Sequence, residues 1–137
     1  MPIYLLDIDH ISLLQNGHEK VSLKFRSISR EFIFVPVVSY EEQLKGRLAV
    51  INKGKPELLG FSYLRLQETH EFYCVFNIAP FNQITNESYL ALRKMYRRLG
   101  TMDLRIAATA QTLNAILVTR NLQDFEQIEN LKIENWA

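Results

Sequence analysis

Short apolar runs that stop abruptly, each followed by a longer segment of helical pattern, most tightly constrain what this chain can form. Ile3-Tyr4-Leu5-Leu6 ends at Asp7, and Phe32-Ile33-Phe34-Val35 ends at Pro36. Tyr73-Cys74-Val75-Phe76 stands mid-chain, and Ala115-Ile116-Leu117-Val118 precedes Thr119. Runs of this length, rich in β-branched and aromatic residues, read as buried strands. Leu131-Lys132-Ile133 is a candidate fifth. Between them apolar residues recur at helical spacing: Ile11, Leu13 and Leu14, then Val21, Leu23, Phe25 and Ile28 beyond Gly17. A helix opens at Ser39 towards Gly46, and Leu48 to Leu66 hold one or two more around Gly54-Lys55-Pro56. Asn86 to Arg98 and Asp103 to Leu113 read as helices separated by Gly100-Thr101. Strands alternating with helices imply an α/β fold with a largely parallel central sheet of about four or five strands, covered on both faces.

The chain has 137 residues, the size of one domain, so residues 1–137 are read as a single unit. Apolar residues make up 47% and charged residues 23%, a balance that suits a packed core and excludes disorder. Net charge is +1, so a nucleic-acid surface would have to be local. The one cysteine, Cys74, lies in an apolar run and is expected to be buried and inert. It can form no intramolecular disulfide, and no Cys/His cluster offers a zinc site. The amino terminus turns acidic at Asp7 without the basic and apolar regions of a signal peptide, and no stretch approaches a membrane span. The expected location is cytoplasmic.

In parallel sheets, sites form beyond the carboxyl ends of the strands, and that rule singles out certain acids. Asp7 follows the first run directly and Asp9 comes two residues later. Glu42 lies three residues after Ser39, Asp103 opens the segment after Gly100-Thr101, and Asp124 follows the Val118-Thr119 strand end. Each has a structural reading. Asp7 or Asp9 can cap the next helix, Asp9 being the stronger candidate, and Ser39 with Glu42 spells a capping box. Asp103 complements a helix dipole, and Asp124 can be a cap. Together they place four acids on the edge where such folds build sites. Converging carboxylates repel unless a divalent cation neutralises them, and oxygen donors select Mg²⁺ or Mn²⁺. Such centres act on phosphodiesters or phosphomonoesters.

At this point the sequence resembles a known family. Leu5-Leu6-Asp7-Ile8-Asp9 is similar to the opening of PIN-domain proteins, and Ser39-Tyr40-Glu41-Glu42-Gln43-Leu44-Lys45-Gly46 to their second motif, Thr/Ser-x-x-Glu-x-x-x-Gly. Gly100 to Ala108 resembles the third motif, Gly-x-x-Asp-x-x-Ile-Ala-Ala. Leu117 to Phe125 resembles the fourth, Leu-Val-Thr-x-Asn-x-x-Asp/Glu-Phe, and Leu131 to Trp136 the family's usual close. Order and spacing agree over nearly the whole chain, with the VapC-type toxins of toxin–antitoxin pairs as the nearest subgroup. The resemblance implies a PIN-like domain that cleaves RNA with Mg²⁺ or Mn²⁺ held by Asp7, Glu42, Asp103 and Asp124. It selects Glu42 over Glu41 and gives Asp9, Ser39, Thr119 and Asn121 supporting places. It further implies a homodimer and a VapB-like antitoxin partner. The chain departs from the family at Ile8, where threonine is usual, at Met102, and at Asn121, where an acid can stand.

Arg93, Lys94, Arg97 and Arg98 are the densest basic group, and helical spacing would put several on one face. They are either a solvated face or a guide for RNA phosphates. His10 is expected on a helix surface. Phe72, Tyr73, Phe76 and Phe81 are expected in the core. Two alternatives remain. A degenerate PIN domain would bind RNA or a protein without cutting. Asp7-Ile8-Asp9 also fits the acid pair of haloacid-dehalogenase-like phosphatases, although these need a downstream lysine, a paired-acid motif and more chain.

Overall fold

The computed structural model describes residues 1–137. Five strands, β1 (Tyr4–Leu6), β2 (Ile33–Pro36), β3 (Asn77–Ala79), β4 (Ile116–Val118) and β5 (Ile133–Glu134), form one parallel sheet in the order β3-β2-β1-β4-β5. Seven α-helices connect and cover them: α1 (Ile8–Gln15), α2 (Glu19–Arg26), α3 (Val37–Lys53), α4 (Leu59–Cys74), α5 (Gln83–Met95), α6 (Thr101–Leu113) and α7 (Leu122–Phe125). The α/β fold with a parallel sheet matches the expectation.

Neighbouring residues on a strand point to opposite faces, and β1 shows the consequence. Leu5 packs into one core with Leu104, Ala107 and Leu117, while Leu6 packs into a second with Ile11, Tyr73, Val118 and Trp136. Both leucines are fully buried. Continuous apolarity in these runs therefore reflects two covered faces, as in other parallel sheets.

The chain winds outward from β1 to β2 and β3, then returns to place β4 on the other side of β1. The switch point between β1 and β4 opens a crevice beyond their carboxyl ends. α1 and α3 follow β1 and β2 directly, so their amino termini lie at that edge. α6 runs back to feed β4, so its amino terminus lies there as well. Asn114, left-handed at φ 54°, closes α6 before β4.

Three sequence expectations need correction. Tyr73–Phe76 is not a strand. It contains the last turn of α4 and the exit towards β3, which begins at Asn77. Thr69, Phe72 and Tyr73 stand at helical spacing, with Thr69 and Tyr73 buried, and that stripe was the outranked signal. Cys74 falls on the other face and is exposed, not buried. α3 runs unbroken through Gly46 to Lys53, because a side chain there would meet only open space and the glycine marks no bend. α5 stops at Met95, so Arg97 and Arg98 belong to the following turn and share no helix face with Arg93 and Lys94.

No helix is long and apolar enough to cross a membrane. α3 and α4 pack against each other, and their far halves leave Leu48, Val50, Phe61 and Leu64 about half exposed or more.

Candidate active site

Asp7 leaves β1 at the switch point. Its amide donates to the Val118 carbonyl of β4 (3.0 Å), continuing the sheet by one residue. Its carboxylate caps α1, Oδ1 accepting from the His10 amide at 3.0 Å. The capping role therefore falls to Asp7, and Asp9, the expected cap, is an exposed first-turn residue. Capping uses one lone-pair direction of one oxygen and leaves Oδ2 available.

Glu42 stands half-buried in the second turn of α3. The capping-box alternative for it fails. α3 begins after Pro36 with no side-chain cap, and Ser39 is already inside the helix, fully buried, with an unpartnered hydroxyl. Asp103 stands half-buried in the first turn of α6. Asp124, in α7, is held by Asn121, whose side-chain amide donates to Oδ2 at 3.1 Å. The Asn121 backbone amide is anchored in turn on the Thr119 hydroxyl at 2.9 Å. The sequence departure at Asn121 thus positions a neighbouring acid.

These acids feel one another at Asp103. Burial pushes the Asp103 carboxyl above the usual carboxylate range, and the charges of Asp124, Asp7, Asp9 and Glu42, in that order, push it further. Four helices and three strand ends thus bring five acids into one electrostatic neighbourhood. No three His, Cys, Asp or Glu side chains close into a compact chelate. The arrangement is an open acidic bowl. That suits Mg²⁺, which keeps several waters and takes only one or two carboxylates together with substrate phosphate oxygens.

Three buried polar atoms lack a hydrogen-bond partner: His10 Nδ1, Ser39 Oγ and Tyr73 Oη. Each belongs to a residue linked to a site acid. His10 Nδ1 lies 3.5 Å from Asp7 Oδ1, an electrostatic contact too long and poorly aimed for a hydrogen bond. Ser39 lies one helical turn before Glu42. Burial, then Glu42, then Tyr40 push the Tyr73 hydroxyl well above its usual range.

His10 is fully buried, contrary to the surface position expected of it. Its Nε2 accepts from the Trp136 amide at 3.2 Å, tying the carboxyl terminus to the residue that abuts Asp7. Its spacing of three from Asp7 was the available signal, and only the return of Trp136 gives that spacing meaning. Tyr73 was hidden by its reading as a strand residue.

The basic group divides. Arg93 turns its guanidinium onto the carbonyls of Tyr96, Arg97 and Leu99 at 3.1, 2.7 and 2.8 Å, closing the end of α5. Lys94, Arg97 and Arg98 are exposed. Arg93→Gln is expected to cost about 1–2 kcal/mol in urea unfolding, since three charge-assisted bonds are lost at a half-exposed site. An unchanged unfolding midpoint would remove this capping role.

Sequence and structure comparisons agree on the class of protein. Residues 8–131 match the PIN domain family, and the chain belongs to it. The chain is 27% identical to Ribonuclease VapC1 of Haemophilus influenzae strain R2866, with 98% of each chain aligned. It superposes on a chain of the VapBC2 structure from Rickettsia felis bound to a promoter DNA fragment, with TM-score 0.76, 26% identity and coverage of 98% and 99%. Its fold matches a chain of DNA-bound VapBC from Salmonella typhimurium with TM-score 0.81 at 21% identity over the full length of both. Family membership sets the haloacid-dehalogenase-like alternative aside.

Proposed function

We propose that this chain is a Mg²⁺- or Mn²⁺-dependent endoribonuclease, the toxin of a VapBC-type pair, cutting RNA at Asp7, Glu42, Asp103 and Asp124. The observation that carries this reading is the Asp103 carboxyl, raised by burial and by four other acids at the strand edge. Such a field is costly unless a cation is part of the working state. All donors of the bowl are hard oxygens. The nearest imidazole has its Nε2 committed to the Trp136 amide, so the set fits Mg²⁺ or Mn²⁺ rather than zinc. When bound, such an ion supplies polarisation of the scissile phosphoryl group and activation of water.

The chain's own residues do the rest. Asp7 is fixed by its cap bond and by β4, so its free oxygen is aimed before any ligand arrives. Asp124 is aimed by Asn121 and Thr119. Asp9, exposed on α1, adds negative field at the rim. Such a centre repels RNA phosphates, so the exposed Lys94, Arg97 and Arg98, just ahead of the Asp103 helix, offset that repulsion. Arg93 contributes indirectly by holding their turn.

The partner reading rests on the relatives solved as VapBC complexes, and it assigns this chain a VapB-like antitoxin and a homodimeric state. The test uses purified protein with single-stranded RNA. Cleavage should require Mg²⁺ or Mn²⁺, stop with chelator, and be silenced by the co-expressed antitoxin, with light scattering giving a dimer mass. Arg97→Ala with Arg98→Ala should weaken RNA affinity and flatten its logarithmic salt slope by roughly 0.7 per lost phosphate contact. RNA binding without metal-stimulated cleavage would instead identify a degenerate PIN domain. An unchanged slope would place the RNA path elsewhere.

A further inference from the structure

Away from the acidic bowl, α1, α3 and α4 enclose a cavity of about 250 Å³. Its walls carry Arg47 from α3, Arg65, Glu68 and Thr69 from α4, and Ser12 and Gln15 from α1. A drier cavity of about 110 Å³ adjoins it, sharing both arginines and adding Val50 and Phe61. Neither arginine is in ion-pair contact with a carboxylate; the chain's ion pairs are His10–Asp7 and Lys45–Glu41.

Arg47 is held for use. Its Nε donates to the Thr69 hydroxyl at 2.9 Å, and buried Thr69 donates onward to the Arg65 carbonyl at 2.9 Å. That fixes the plane of the guanidinium and leaves its two terminal nitrogens without a partner in the chain, the fork that matches a carboxylate. Burial and then the Arg65 charge weigh against the charged form of Arg47, and Glu68 offsets them in part. Two arginines against one glutamate leave a single uncompensated positive charge. A lone carboxylate would balance it, whereas a polyphosphate chain would also meet Glu68. Beside the arginines, Val50 and Phe61 are 53% and 62% exposed, and Leu58 and Leu64 are about as open. Apolar side chains this exposed on one helical hairpin mark a surface that something apolar covers.

We propose that the Arg47–Arg65 pair docks an apolar, carboxylate-bearing peptide segment of a protein partner, its acid on the paired guanidinium groups and its apolar side chains over Val50 and Phe61. The proposal rests on the reading of this chain as one half of a toxin–antitoxin pair and names the chemistry by which the partner is held. Arg47 stands five residues after Glu42 on α3, about 7.5 Å along the helix axis. A segment anchored at the arginines therefore has only a short run to the acidic bowl.

The test follows the arginine Nε–Hε signals of isotopically labelled protein by NMR during titration with hexanoate, hexanol, inorganic phosphate and an oligouridylate. Hexanoate should move Arg47, Arg65 and the Phe61 ring saturably, while hexanol moves Phe61 alone. Arg47→Gln or Arg65→Gln should each weaken hexanoate roughly tenfold, with the amide spectrum confirming the fold. The double variant should also lose its grip on the co-expressed antitoxin. Phosphate or oligouridylate moving the same signals ahead of hexanoate would overturn the peptide site in favour of an RNA track. The absence of any saturable movement would overturn it outright. The outcome is separable from the enzymatic reading. A chain that cuts no RNA yet binds hexanoate here keeps the site and loses the activity, and the converse keeps the activity and loses the site.

Discussion

Asp103→Asn is expected to lower RNA cleavage by about 10²–10³-fold, the scale of removing one preorganised electrostatic group, while making the metal-free protein more stable at neutral pH. The two effects have one cause. Burial and four neighbouring acids hold the Asp103 carboxyl above its ordinary range, so the folded state disfavours its ionised form. Between the ordinary pKa and the raised one, the folded chain binds more protons at this position than the unfolded chain. Stability therefore falls as pH rises through that window, and the full penalty stands above it. Asparagine keeps the shape, carries no charge at any pH and removes that fall. With chelator present, melting curves of the variant should lie above the parent at pH 7 and converge with it in acid. Mg²⁺ should then raise the parent's midpoint through preferential binding to the folded state, and the variant should lose most of that rise. A variant less stable than the parent at neutral pH would make Asp103 a structural acid and undo the site.

That coupling also explains what the sequence made legible. Asp7, Glu42, Asp103 and Asp124 lie where a parallel sheet gathers side chains, so alternating pattern and motif spacing suffice to name them. The strand ends at Leu6 and Val118 are equally plain, because both residues must be apolar to fill a core. The misreadings arose where one residue serves two patterns. Tyr73 and Phe76 are aromatic enough for a strand, yet the preceding turn at Thr69 makes Tyr73 the inner face of a helix. Arg93 has the composition of a phosphate contact and is spent on three carbonyls, because α5 ends earlier than its charge pattern suggests. The Arg47–Arg65 pair drew no attention in sequence, since eighteen positions and a helical hairpin separate the two and only the packing of α3 on α4 joins them.

His10→Ala is expected to destabilise the protein by about 2–4 kcal/mol, a large effect for a residue whose neighbours in sequence mark it as surface. The ring is fully buried, so its removal opens a cavity in the core that also holds Leu6, Ile11 and Trp136. It also strands the Trp136 amide, which donates to Nε2, and an unsatisfied buried donor adds its own desolvation cost. Because Nε2 accepts, the proton of the neutral ring sits on Nδ1, facing Asp7 Oδ1 at 3.5 Å. His10 thus stands between the carboxyl terminus and the first site acid, and the indole of Trp136 lies edge-on to both His10 and Tyr4 of β1. The effect should be shared. Trp136→Ala destabilises as well, but the double variant should lose less than the sum of the two, with a coupling of roughly 0.5–3 kcal/mol. Urea unfolding of the two single variants and the double variant measures this. Additivity within error would mean that the carboxyl terminus and the Asp7 turn are stabilised independently. A His10→Ala cost below about 0.5 kcal/mol, the range of ordinary surface substitutions, would return His10 to the surface role that its sequence suggests.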